Sequence, residues 1–246
     1  MTGGETWVCG VDGCRAGWMV VMHPLDAPSR ATVSIVATFA DILSCAETPA
    51  MIAVDIPIGL PERSGIGGRL CDSAARVPLG DRRSSVFSVP ARAAVAEHEY
   101  AAACRQAAQF SDPSRKVSKQ AFNLFAKIRE VDALMTPALQ ARVVECHPEL
   151  AFWRLNGRRP LDQPKKVKSQ PHGPGLDLRR QLLHEAGYPR DVVQQAAFRS
   201  RDAGEDDVID AFANAAAAAA ILRGEAFRVP DTPPVDGKGL RMEIWG

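Results

Sequence analysis

The sequence predicts an α/β protein: a mixed five-stranded sheet, built from a three-stranded antiparallel meander and then parallel strands, with helices on both faces and a helical insertion. Three observations predict it. Strand signals separated by turn residues fill positions 7–39. A near-continuous apolar run, Met51–Ile56, stops at Pro57, and an alanine-rich helical pattern runs from about Glu205 to Arg223 before Gly224. The 246 residues carry 30 Lys+Arg against 29 Asp+Glu and are 46% apolar, which supports a full core and excludes disorder and coiled coil.

The meander comes from Trp7–Val11, Trp18–Met22 and Ala31–Phe39, joined by turns over Gly13–Gly17 and Pro24–Ser29. Phe39–Ala46 predicts a short helix. Met51–Ile56 is apolar on both faces and belongs in the middle of the sheet. Residues 61–142 are helical and arginine-rich, too much chain for a crossover, and read as an insertion within a single domain spanning 1–246. Val143–Cys146 is a short strand stopped by Pro148. Residues 156–178, rich in Gly, Pro, Lys and Arg, predict a basic flexible loop. Helices over Leu178–Ala186 and Glu205–Arg223 follow, the second ending at Gly224 where a cap favours glycine. A turn at Asp236–Gly239 leads into a last strand, Arg241–Trp245.

A net charge of +1 denies the chain a uniformly basic surface, so a nucleic-acid partner would be held by local basic patches. The start, Met1–Gly10, has no basic stretch leading into an apolar one. Ala211–Leu222 falls short of the roughly 18 residues of a membrane span, so a cytoplasmic protein without membrane contact is expected. Six cysteines without a CxxC pair predict reduced thiols and argue against structural zinc.

The informative residues are acids in apolar surroundings. Asp12 and Asp55 each end a strand that otherwise reads as core. A lone aspartate there is commonly a turn residue, but two in buried-type strands point elsewhere. Asp207 and Asp210 stand at i, i+3 on one helix face, with Cβ atoms roughly 5–6 Å apart. The helix macrodipole accounts for Glu205 and Asp206, yet it fades before Asp210, and the same face continues through Asn214 into uncharged Ala217, Ala218 and Ile221. Glu145 is a further acid in an apolar strand, with an outward-facing edge position equally open to it, and His147 shares its face at i+2. Gathered carboxylates repel by about 4 kcal/mol at about 4 Å and an effective dielectric of about 20, so either their pKa values rise or a cation joins them. Mg²⁺ or Mn²⁺ suits an all-oxygen set drawn from Asp12, Asp55, Glu145, Asp207 and Asp210, and such ions catalyse phosphodiester cleavage.

The stretches Gly10–Trp18, Asp55–Pro61, Arg69–Asp72, Leu79–Phe87, Glu145–Glu149 and Met242–Trp245 together resemble the domain-of-unknown-function family 429, described as predicted RNase H-like nucleases. The resemblance covers nearly the whole chain. It implies an RNase H-like fold, with catalytic and metal-binding acids at Asp12 on the first strand, Asp55 on the fourth, and Asp207 and Asp210 on the last helix. Glu145 would lie on the fifth strand, a place that the resolvase branch of the superfamily does not require. The expected activity is metal-dependent hydrolysis of nucleic-acid phosphodiesters. Arg15, Arg69, Arg76, Arg82, Arg83, Ser84, Ser85 and His147 are candidates for binding the substrate, because guanidinium forks match phosphate oxygens. Lys165, Lys166 and Lys168 would clamp a backbone without reading its sequence. Two rival readings stand beside this one. An ATPase or phosphotransferase on the same fold begins with a similar aspartate–glycine turn but encloses its nucleotide between two domains. A noncatalytic module would bind nucleic acid or a phospho-ligand and keep the acids as a structural site.

Overall fold

The structure, a computed structural model, describes residues 5–168, 170–195 and 198–246. Residues 1–4 of the start, and Ser169 of the expected loop, lie outside the described residues. The chain forms two compact units: Met1–Asp55, Arg142–Phe227 and Trp245–Gly246 make the first, Ile56–Ala141 and Arg228–Ile244 the second. The arginine-rich segment expected as an insertion supplies most of the second unit, which also takes up Arg228–Ile244, and with it most of the expected last strand.

In the first unit, β1 (Trp7–Cys14) pairs antiparallel with β2 (Gly17–Pro24), and β2 with β3 (Thr32–Val36). α1 (Phe39–Leu43) starts at Thr38, whose side chain accepts from the Asp41 amide while Asp41 answers the Thr38 amide. β4 (Met51–Val54) then joins β1 in parallel, with Val11 opposite Val54. Four helices of the second unit intervene, α2 (Leu70–Arg76), α3 (Arg92–Val95), α4 (Tyr100–Gln109) and α5 (Lys119–Leu134). β5 (Val143–Glu145) closes the sheet parallel to β4, with Val54 opposite Glu145. The order β3-β2-β1-β4-β5 is the predicted mixed five-stranded sheet. After it come α6 (Pro148–Leu155), the short hairpin β6 (Lys166–Val167) and β7 (Gln170–Pro171), α7 (Gly173–Glu185), α8 (Arg190–Gln195) and α9 (Glu205–Arg223). Among the described residues no helix is long and apolar enough to cross a membrane.

Side-chain alternation assigns the two faces of the sheet. Val8, Met51, Ala53, Val144 and Cys146 share one core with the alanines of α9. The opposite face buries Trp18, on which Phe39 of α1 packs edge-on, the ring centroids 5.3 Å apart. α9 lies unusually close to β1, and Gly10 permits it. A Cβ at that position would sit 2.1 Å from both the Ala211 carbonyl oxygen and the Ala215 amide nitrogen, so any larger residue would push the helix off the sheet.

Two boundaries differ from the expectation for identifiable reasons. α7 begins at Gly173 rather than Leu178 because Pro174 sits in its first turn, where the missing N–H costs nothing. The last strand shrinks from Arg241–Trp245 to Ile244–Trp245. The Arg241 amide instead donates to the Gln140 side chain, 2.8 Å away, and its guanidinium to Glu243.

Candidate active site

The four predicted aspartates belong to the first unit, and its topology gathers them. Because Val11 faces Val54, Asp12 and Asp55 follow on neighbouring parallel strands. Strand parity puts both on the face that also carries Gly10 and Ala53, which α9 covers. One carbonyl ties the three elements together: the Val11 oxygen accepts from the Asp55 amide at 3.0 Å and from Asn214 Nδ2 at 2.8 Å. Asp210 lies one helical turn before Asn214, on the same face. Asp12 is 9% exposed and Asp210 only 3%.

The electrostatics are those of crowded, desolvated carboxylates. Burial pushes the Asp12 pKa well above the ordinary value, and the fields of Asp210, Asp55 and Asp207 push it further. Burial raises Asp210 to about 7 despite the opposing lysine described below. Asp55 is raised by burial as well, against the pull of His147 and Lys165. Asp207 is raised by burial, while its hydrogen bond from the Gly204 amide, 2.8 Å long, works the other way.

A cation stands with these acids. Lys165 Nζ forms an ion pair with Asp210 Oδ2, and the neighbouring Lys166 Nζ lies 2.6 Å from Asp206 Oδ2. Burial opposes the Lys165 charge, but Asp210, Asp12 and Asp206 together hold its pKa above the ordinary value. The two partners therefore pull apart: the lysine stays charged, and the aspartate, more deeply buried, keeps a raised pKa. Among the described residues, Asp210 Oδ1 and Asn214 Oδ1 are buried with no hydrogen-bond partner.

Several expectations change on this geometry. Asp206, which the helix dipole seemed to explain, is buried and paired, whereas Asp207 is the residue that caps the helix start. Lys165 and Lys166 do not wave in an open loop as backbone clamps; they are docked on α9, and part of the expected flexible loop 156–178 is the β6–β7 hairpin and the first turns of α7. Glu145 is buried, but its parity places it on the sheet face opposite Asp12 and Asp55, so it does not join their ligand set. His147 caps α6, its Nδ1 accepting from the Glu149 amide at 3.2 Å. Its charge nevertheless reaches Asp55. Arg15 donates to the Ser200 carbonyl.

The remaining candidates belong to the second unit. Arg69 is 3% exposed and spends its guanidinium on Asp72 and on the carbonyls of Ile58 and Gly59, which removes it from phosphate binding. Arg76 is likewise spent on Val86, Gly67 and Ser88. Arg83, Ser84 and Ser85 are exposed and Arg82 is half-buried. Sequence reasoning did not single out Glu149, whose charge also acts on Asp55, or the pairing of Lys165 with Asp210. Only a general signal was present: buried acids require a cation, and nothing in the spacing says which lysine or arginine supplies it.

The donor set, carboxylate oxygens with two unanswered buried oxygens, is of the kind that hard divalent ions take. In this conformation, however, no three Asp, Glu, His or Cys side chains among the described residues are grouped closely enough to hold an ion. A divalent ion there would require the carboxylates to draw closer together and the Lys165 ammonium to leave Asp210.

A family model described as protein of unknown function (DUF429) matches residues 10–235, so the chain belongs to that family. No curated protein matches the chain, and no solved structure does.

Proposed function

For this member of the family, we propose metal-dependent hydrolysis of phosphodiester bonds in nucleic acid, at an RNase H-like centre formed by Asp12, Asp55 and Asp210 with Asp207 beside them. The observation that carries the proposal is the convergence of these aspartates, Asp12 and Asp210 buried and Asp55 and Asp207 half-buried, at the ends of two parallel strands and on one helix, with more negative charge than Lys165 neutralises. Mg²⁺ or Mn²⁺, when bound, would activate a water and stabilise the leaving oxygen. The chain's own residues do the rest. Asp12 is the central acid, since it feels all three others. The Val11 carbonyl, gripped by Asn214 and the Asp55 amide, fixes the strand one residue before Asp12, whose side chain spends only Oδ1, on the Gly13 amide. Lys165 offsets part of the cluster's charge between turnovers and, when it leaves Asp210, presents a free ammonium to a phosphate oxygen.

A second reading is favoured by the lysine pairs themselves: Lys165–Asp210 and Lys166–Asp206 would be permanent, and the acids would belong to a noncatalytic binding module. Lys165→Met separates the two. On the catalytic reading it removes the competitor for Asp210, and Mn²⁺ binding measured by titration calorimetry tightens by about tenfold, roughly 1.4 kcal/mol. Unchanged or absent Mn²⁺ binding in both wild type and variant supports the permanent pair.

Protons compete with the ion in the same way. Because burial raises Asp210 to about 7, its carboxyl holds a proton at pH 6 that an ion must displace, and the upward shift of Asp12 works in the same direction. Mn²⁺ affinity should therefore rise from pH 6 to pH 8, with proton release visible as a dependence of the binding enthalpy on buffer. A flat profile across that range would show that these carboxyls are already ionised.

A further inference from the structure

We infer that the second unit carries a binding site for a small phosphomonoester of sugar-phosphate type, in a cavity of about 240 Å³ walled by Gly65–Gly68, Phe87–Pro90 and the start of α5. The inference does not depend on the aspartate cluster. Among the described residues, the only charged side chains on the lining are Arg115 and Lys116, both exposed and with no ion pair or side-chain hydrogen bond. Ser64 also lines the cavity. It is 9% exposed, and its hydroxyl has no partner among the described residues. Its oxygen opens on the cavity, where a ligand atom can meet it.

The helix start adds donors of the same sign. Ser118 caps α5 by accepting from the Ala121 amide at 3.1 Å, and the amides before it have no partner within the helix. With the helix dipole they favour an anion. The glycines leave room for it. A Cβ at Gly65 would meet nothing within 4 Å, whereas one at Gly68 would strike the Val89 amide at 2.8 Å, so the turn can lie against the opposite wall only because it lacks side chains.

Both walls are preorganised. Arg76 donates to the carbonyls of Gly67 and Val86 and to Ser88, clamping one wall to the other. Asp72 does the same through the amides of Arg69 and Val89. This explains why the two arginines expected to bind phosphate are committed to backbone: they build the cavity whose rim the unpaired Arg115 and Lys116 occupy. Phe87, Val89, Pro90 and Val117 give the cavity an apolar side, which a bare ion would not use, and the volume lies just under the about 300–1,000 Å³ of pockets for drug-sized ligands. A phosphate carrying one sugar-sized group matches both.

The test is titration calorimetry on the full chain with ribose 5-phosphate, inorganic phosphate and ribose. Ribose 5-phosphate should bind more tightly than inorganic phosphate, ribose should not bind, and added KCl should weaken both phosphate compounds. Arg115→Ala with Lys116→Ala should weaken ribose 5-phosphate by at least about tenfold. Ser64→Ala should weaken it severalfold. Both charged residues are on the surface, so an unchanged melting temperature should accompany the loss. No binding of either phosphate compound to the wild type, or binding that the double substitution leaves intact, overturns the site. Equal affinity for inorganic phosphate and ribose 5-phosphate overturns the sugar-bearing ligand.

Discussion

Asp12→Asn is expected to abolish hydrolysis while making the protein more stable. Nuclease activity with Mn²⁺ should fall by at least about 100-fold, the scale of losing one preorganised charged group from a reaction centre. The same change should raise the melting temperature at pH 8 by roughly 2–4 °C, equivalent to about 1 kcal/mol for a chain of this size. The reason for the gain is that Asp12 is buried and repelled by three other aspartates, while its one hydrogen bond, from the Gly13 amide to Oδ1 at 2.8 Å, can be kept by an asparagine oxygen. The sign with pH follows. An acid whose folded pKa is raised costs nothing below its unfolded value near 4, and its cost grows as pH climbs towards the folded value. The stability gap between Asp12→Asn and wild type should therefore be smallest at about pH 4 and below, and widen as the pH rises above it. The comparison must be between variant and wild type, because His23, buried and with a lowered pKa, moves the raw profile in the opposite sense at low pH. An Asp12→Asn protein that melts lower than wild type at pH 8 would mean that the carboxylate is a structural anchor, and the catalytic proposal would lose its central residue.

Arg179→Met carries the largest expected cost to stability. Arg179 is fully buried, and its Nη2 lies 2.5 Å from Glu149 Oε1, itself buried. Nη1 reaches the carbonyls of Gln163 and Gly175, and the guanidinium stacks over Phe152, 5.5 Å from the ring centre. Removing the arginine strands the Glu149 carboxylate in the core, a change that costs about 3–5 kcal/mol. The melting temperature should drop by on the order of 10 °C. Pairing it with Glu149→Leu should recover most of the loss, since the desolvated charge is then gone as well. The consequence extends to the site. The Gln163 carbonyl that Arg179 holds lies two residues before Lys165, so the arginine also fixes the segment from which the lysine reaches Asp210. If the double replacement is no more stable than Arg179→Met alone, the buried pair is not what the arginine contributes.

The antiparallel meander, the doubly buried character of β4 and the limits of α9 were legible in the sequence. Each rests on a pattern that local chain chemistry sets: alternation, an unbroken apolar run, a long alanine stretch ended by Gly224. The aspartates were legible for the same reason, since a charge inside an apolar pattern is anomalous wherever the chain goes. The arginines were not. Arg69 and Arg76 look like surface phosphate ligands in a basic segment, and only the folded unit spends them on Asp72 and on backbone carbonyls. Glu145 failed differently: strand identity was readable, but which face it turned towards depended on the neighbouring register.

By itself the sequence determined the sheet, its covering helix and the identity of the acids, because periodicity and local anomalies are properties of the chain. The tertiary structure alone decided that Lys165 answers Asp210, that Asn214 grips the Val11 carbonyl and that Arg115 and Lys116 stand unpaired at a cavity rim. Those are pairings between residues far apart in the chain, and their energies come from distance and desolvation, quantities that no spacing in a sequence contains.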